Sequence, residues 1–219
     1  MNFLNRSQTA ERFTGKSVAI VGSGPGSLDN ELGFVDSHDV VVRINNYKLF
    51  PQTGIRPDVF YSFFGTSIKK TAAELKRDGV TLCMCKCPND WPIQSEWHNN
   101  NGKRAGVDYT YIYRNRETWW FCDTYTPETG DFLEKFELIG RRQPTTGFSA
   151  ILDILSFKPK SVYLTGFDFF RSGLHNVNDK WLPKNNGDPI GHVPEKELEY
   201  LASIRDRFSC DKKMNDLLA

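Results

Sequence analysis

The chain reads as a single α/β domain with a mostly parallel sheet flanked by helices, and three stretches carry that reading. Ser17–Val21 is a short apolar run that passes at once into Gly22-Ser23-Gly24-Pro25-Gly26-Ser27, the way a first buried strand enters a glycine-rich turn in doubly wound folds. Val40–Ile44 is a second such run, ending on Asn45-Asn46. Residues 144–170 (PTTGFSAILDILSFKPKSVYLTGFDFF) then hold a turn, a helix and a strand in succession. Phe148, Ile151, Leu152 and Leu155 recur at helical spacing, Lys158-Pro159 ends the pattern, and Ser161–Thr165 is a β-branched and aromatic run that stops at Gly166.

In chain order, residues 1–15 read as a polar lead-in with little to give a core. After the first strand and its turn, Asp36-Ser37-His38-Asp39 is a polar corner feeding the second strand, with His38 read as a local hydrogen-bonding group. Residues 59–64 predict a third strand, 68–76 a helix closed by Gly79, and 80–87 a further strand. Cys83, Cys85 and Cys87 alternate and so share one strand face. The spacing lacks the C-x2-C of zinc sites, which favours buried reduced thiols; the five cysteines are an odd number.

Residues 88–143 are rich in Trp, Tyr, Asn and Arg, among them Trp91, Trp97, Trp119, Trp120, Tyr109, Tyr111 and Tyr113. The mixture suits either a carbohydrate-facing surface or ordinary core aromatics, and the segment is set apart as an acceptor-side insertion in one domain spanning 1–219. Within it, 128–136 predicts a short helix. Residues 171–191 form a long polar stretch carrying His175, expected as a binding loop. Pro194 opens a helix with Leu198, Leu201, Ile204 and Phe208 on one face. His192 lies just before it, where the helix dipole favours the neutral imidazole and so a general base.

Composition narrows the function. A formal charge of +1 over 219 residues argues against nucleic acid as a partner. No window approaches the roughly 18 apolar residues of a membrane span, and the polar N-terminus lacks the apolar centre of a signal peptide, so a cytoplasmic address is expected. The turn at 22–27 resembles a dinucleotide fingerprint but carries Ser27 at the third glycine position. Asn45, not an acidic residue, follows the second strand. A Rossmann-like nucleotide-binding domain is therefore expected, with a nicotinamide or flavin oxidoreductase and a non-catalytic nucleotide- or sugar-binding module kept as alternatives.

Together these pieces resemble the sialyltransferase family that uses CMP-activated sialic acid. Its long motif is similar to residues 18–60, including D-S-H-D followed by R-I-N. Its short motif resembles 144–170, its last motif, His-x4-Glu, is matched by His192 and Glu197, and His175 falls where the third motif places a histidine. The resemblance implies that Gly22, Ser23 and Gly24 face the nucleotide, Ser23 standing where the family has asparagine. It implies that Asn45 bonds ribose or phosphate, and that Thr145, Thr146 and Gly147 hold CMP and the donor carboxylate. His175 would bond the leaving phosphate, His192 would deprotonate the acceptor hydroxyl, and Glu197 would anchor its helix. The function implied is inverting transfer of a 2-keto sugar acid, sialic acid or Kdo, from its CMP donor to a hydroxyl of a glycan or lipid-linked oligosaccharide. With no D-x-D in the chain, no metal and no cofactor are expected, the CMP-sugar being a substrate. The family's motif cysteines and membrane anchor are absent, which points to a soluble, bacterial-type relative, with peripheral membrane association left open.

Overall fold

The computed structural model describes residues 2–64, 68–88, 121–171 and 192–219. Its centre is a seven-stranded sheet in which every pairing is parallel. The strands are β1 (Ser17–Val21), β2 (Val40–Ile44), β3 (Val59–Ser62), β4 (Leu82–Cys85), β5 (Asp123–Tyr125), β6 (Ser161–Thr165) and β7 (Ser209–Cys210), in spatial order 5-4-3-2-1-6-7. The chain thus builds outward from β1 through β5, returns to the other side of β1 with β6, and ends at β7. The reversal lies between β1 and β6, and open α/β sheets bind ligands at the carboxyl ends of the strands flanking such a point.

The α-helices among the described residues are α1 (Arg6–Ala10), α2 (Ala72–Asp78), α3 (Thr129–Leu138), α4 (Thr146–Ser156), α5 (Pro194–Ser203) and α6 (Lys212–Leu218). The central strands β1 to β4 are buried on both faces, as parallel strands covered by crossovers are. Val18, Ile20, Val40, Val42, Val59 and Tyr61 pack under Phe148, Ile151, Ile154 and Leu155 of α4. The alternate residues Ala19, Val21 and Val41 pack with Val35 on the other face. Further along that face Cys83, Cys85, Cys87 and Cys122 cluster with Phe60, Leu75, Phe132 and Phe136, and none of the five cysteines is in a disulfide. The shared strand face expected for the C-x-C-x-C run is present.

Two regions depart from expectation. The N-terminal lead-in contributes to the core: Phe13 is fully buried and stacks on Phe157 at 5.4 Å, and α1 is closed by a capping box between Asn5 and Gln8. Residues 121–143, within the stretch set apart as an insertion, supply β5 to the sheet edge and α3 beside it. The aromatic run from Trp91 to Trp120 lies outside the described residues.

The Asp36–Asp39 corner acts as a clamp. The Asp36 carboxylate accepts from the backbone N–H groups of Ile55 and Arg56 at 2.9 and 3.1 Å. Asp39 accepts from the N–H and hydroxyl of Ser17, which hold its carboxyl below the ordinary range. His38 lies edge-on to Phe34 and stacked on Tyr163, with Nδ1 at the Phe34 and Val35 carbonyls. These side chains fix the 45–58 crossover against the sheet.

Candidate active site

At the reversal point the glycine-rich turn meets the end of β6. The Gly22 N–H donates to the Thr165 carbonyl and the Gly24 N–H to the Gly166 carbonyl, both at 2.8 Å, extending the ladder past the strands. A Cβ on Gly22 would stand 2.4 Å from the Gly166 oxygen, so the position admits glycine alone. The turn's N–H groups were expected to face a phosphate. Those of Gly22 and Gly24 instead pair with backbone, because two strand ends this close satisfy each other first. Asp211 secures the far side by accepting from the Thr165 hydroxyl, the Gly166 N–H and the Met214 N–H. Ser23 lines a pocket with Ser27, Arg43, Tyr47, Lys48 and Thr53.

The Gly22 turn and the 144–147 corner approach one another through the ring of Phe167. Its Cδ1 would lie 3.3 Å from a Cβ on Gly22, and its Cε1 2.8 Å from one on Gly147. Thr145 caps α4, its hydroxyl accepting from the Phe148 N–H at 3.1 Å. The Thr146 and Gly147 N–H groups, at the first two helical positions, have no acceptor among the described residues. N–H groups so placed at the positive end of a helix can take up an anion.

Three consecutive residues of this corner are gripped by three different side chains. His192 Nδ1 lies 2.7 Å from the Gln143 carbonyl. Lys86 Nζ donates to the Pro144 carbonyl. Glu197 accepts from the Thr145 N–H at 2.6 Å and from its hydroxyl at 2.7 Å. A carbonyl only accepts, so Nδ1 of His192 carries a proton, and in the neutral tautomer the lone pair then sits on Nε2. Lys86 is 2% exposed and Glu197 fully buried. Burial pushes the Lys86 ammonium down, against the attraction of Cys87 and Glu197.

Asn45 ends β2 with a left-handed φ of 50°. Ser62, at the end of neighbouring β3, accepts from the Phe64 N–H and donates to Asn45 Oδ1, each at 3.0 Å. With its oxygen so engaged, the Asn45 amide turns its two N–H donors the other way.

No family model matches the chain, and no curated protein matches it in sequence. Solved structures do match. The Campylobacter jejuni sialyltransferase CstII in complex with the substrate analogue cytidine-5'-monophosphate superposes with a TM-score of 0.57 at 15% identity, over 90% of this chain and 80% of that one. Its complex with CMP-3FNeuAc gives 0.56 at 16% identity, over 91% and 88%. A mammalian sialyltransferase gives 0.54 at 18%, over 90% and 69%. The fold is that of the sialyltransferases.

Within this sialyltransferase fold, Gly22, Ser23, Gly24 and Asn45 stand at the carboxyl ends of β1 and β2. Thr145, Thr146, Gly147 and His192 gather at the start of α4. Thr145 is turned inward, its N–H and hydroxyl both donating to Glu197. Glu197 therefore ties α5 to the corner as well as anchoring its own helix. His175 lies outside the described residues. Lys86, Ser62 and Phe167 were not foreseen. Lys86 alone left a trace, as a charged residue inside the apolar run 80–87.

Burial, above all, pushes the Glu197 carboxyl up from 4.5 to about 7, against its two bonds from Thr145 and the attraction of Lys86. The folded protein then keeps a proton that the unfolded chain loses, so stability falls as pH rises from 4.5 to 7 and stays lower above, by about 3 kcal/mol. Glu197→Gln removes this slope. Its unfolding midpoint should change less between pH 5 and 8 than that of the wild type, and parallel profiles would contradict the assignment.

Proposed function

We propose that the chain is a glycosyltransferase that moves a 2-keto sugar acid from its CMP donor to a carbohydrate hydroxyl with inversion. The observation that carries this reading is the grip on residues 143–145. One corner holds both the anion-binding start of α4 and, through the Gln143 carbonyl, an imidazole with its lone pair on Nε2.

The chemistry follows from the charges. Losing CMP from a ketose carbon leaves an oxocarbenium-like centre, while negative charge gathers on the departing phosphate. Fixed N–H donors at Thr146 and Gly147, and the amide of Asn45, meet that charge more strongly in the transition state than before it. His175 is assigned to the same phosphate. His192 Nε2 takes the acceptor's proton as its oxygen attacks the face opposite CMP, which inverts the anomeric centre. Cation help for the leaving group is assigned to these donors rather than to a metal, since the chain has no D-x-D.

The neighbours support this donor class: CstII was solved with CMP, with CMP-3FNeuAc, and with CMP plus a trisaccharide acceptor. Both sialic acid and Kdo travel as CMP donors with a carboxylate beside the reacting carbon, so both are candidates here, with a glycan or lipid-linked saccharide as acceptor. No described helix is long and apolar enough to cross a membrane. A cytoplasmic site of action, with peripheral contact to a membrane where the acceptor is lipid-linked, completes the proposal. The test is release of CMP from CMP-sialic acid and CMP-Kdo in EDTA.

A further inference from the structure

Beyond the proposed reaction, we infer that Cys83 and Cys122 form a site of oxidative modification, closing to a disulfide on exposure to a peroxide. The two sulfurs lie 3.3 Å apart in a shared hydrogen bond, close enough to bond with small side-chain rotations. Cys83 is on β4, and Cys122 immediately precedes β5, its neighbour in the sheet. Cys83 is fully buried, whereas Cys122 is 7% exposed, which makes Cys122 the first sulfur of the pair that a small oxidant reaches. The contact with Cys83 also holds the Cys122 thiol below its ordinary value, against the opposing effect of burial, favouring the nucleophilic thiolate.

The steps balance with one peroxide as oxidant. Cys122 sulfur attacks one peroxide oxygen, the O–O bond breaks, and the departing oxygen leaves as water, giving a sulfenic acid. Cys83 sulfur then attacks Cys122 sulfur, the S–O bond breaks, and the hydroxyl leaves as a second water with the Cys83 proton. Two thiols and one peroxide become one disulfide and two waters. The bond would join β4 to the entry of β5 and close residues 84–121 into a covalent loop, restricting the unfolded chain.

Cys85 is fully inside the same cluster, and burial pushes its thiol well up. Its reaction should be slow, so the pair is selective. The experiment treats the full-length protein with hydrogen peroxide, blocks remaining thiols after unfolding, and maps tryptic peptides. The expected result is a mass loss of about 2 Da before blocking, three blocked thiols of the five present, and peptide 78–86 linked to peptide 117–135. Reduction should reverse all three, and the oxidised form should melt at higher temperature. Cys85→Ser should keep the link and Cys83→Ser should lose it, which separates the two cysteines of peptide 78–86. Five blocked thiols after treatment, or a link from Cys122 to Cys85 or Cys87, would overturn the proposal.

Discussion

Replacing His192 with alanine is expected to lower sugar transfer by about 10²–10⁴-fold while leaving CMP affinity within about twofold. The asymmetry follows from its place. The ring is bonded to the corner at the Gln143 carbonyl, and the N–H donors at the start of α4 belong to Thr146 and Gly147. Truncation removes the lone pair proposed to take the acceptor's proton and leaves those donors in position, since Glu197 and Lys86 still hold Thr145 and Pro144. The measurements are initial rates with saturating donor and calorimetric binding of CMP. A folded variant that transfers at the wild-type rate would remove His192 from the chemistry. One that transfers slowly because it no longer binds CMP would make the residue a donor ligand.

The largest stability effect is expected at Asp153. It lies on α4, 2% exposed, and takes Lys135 of α3 on one oxygen and the Tyr61 hydroxyl on the other, the latter at 2.6 Å. Lys135 is itself 5% exposed. Asp153→Ala strands a buried ammonium and a buried phenol, at a cost of about 3–5 kcal/mol. Replacing all three together, as Tyr61→Phe, Lys135→Met and Asp153→Leu, should recover most of that loss, because the desolvation penalty goes with the charges. Urea unfolding of the wild type, the single variant and the triple variant measures both. A single variant within about 1 kcal/mol of the wild type would mean that water reaches Lys135. Since α4 also begins at the corner proposed to bind the donor's anion, the network joins core stability to that site.

Much of the fold is legible in the sequence where apolar runs meet hard boundaries. β1, β2 and β6 run over the expected residues because Gly22, Asn45 and Gly166 end them abruptly. β3 stops at Ser62, short of the expected Phe64, because Phe64 turns to φ 51° and gives its N–H to the Ser62 hydroxyl. The helix expected from residue 68 begins at Ala72, where the Thr71–Glu74 capping box outweighs the weak apolar pattern before it. β5 escaped notice because Asp123–Tyr125 offers three residues, two of them polar, and becomes a strand only by pairing with β4. The same division holds at the site. Small residues at a turn and a histidine before a helix are visible along the chain. Backbone carbonyls as partners are not, since every residue carries one, so the bonds from His192 to Gln143 and from Lys86 to Pro144 required the fold. Asp153 did leave a signal, a carboxylate within an otherwise apolar helical run.

The most direct test of the central claim is CMP release from CMP-sialic acid and CMP-Kdo in the presence of EDTA, with CMP-induced thermal stabilisation read in the same samples. The account predicts that one of the two donors is cleaved without added metal, and that CMP raises the melting temperature. Cleavage of neither donor by a protein that CMP does not stabilise would contradict it.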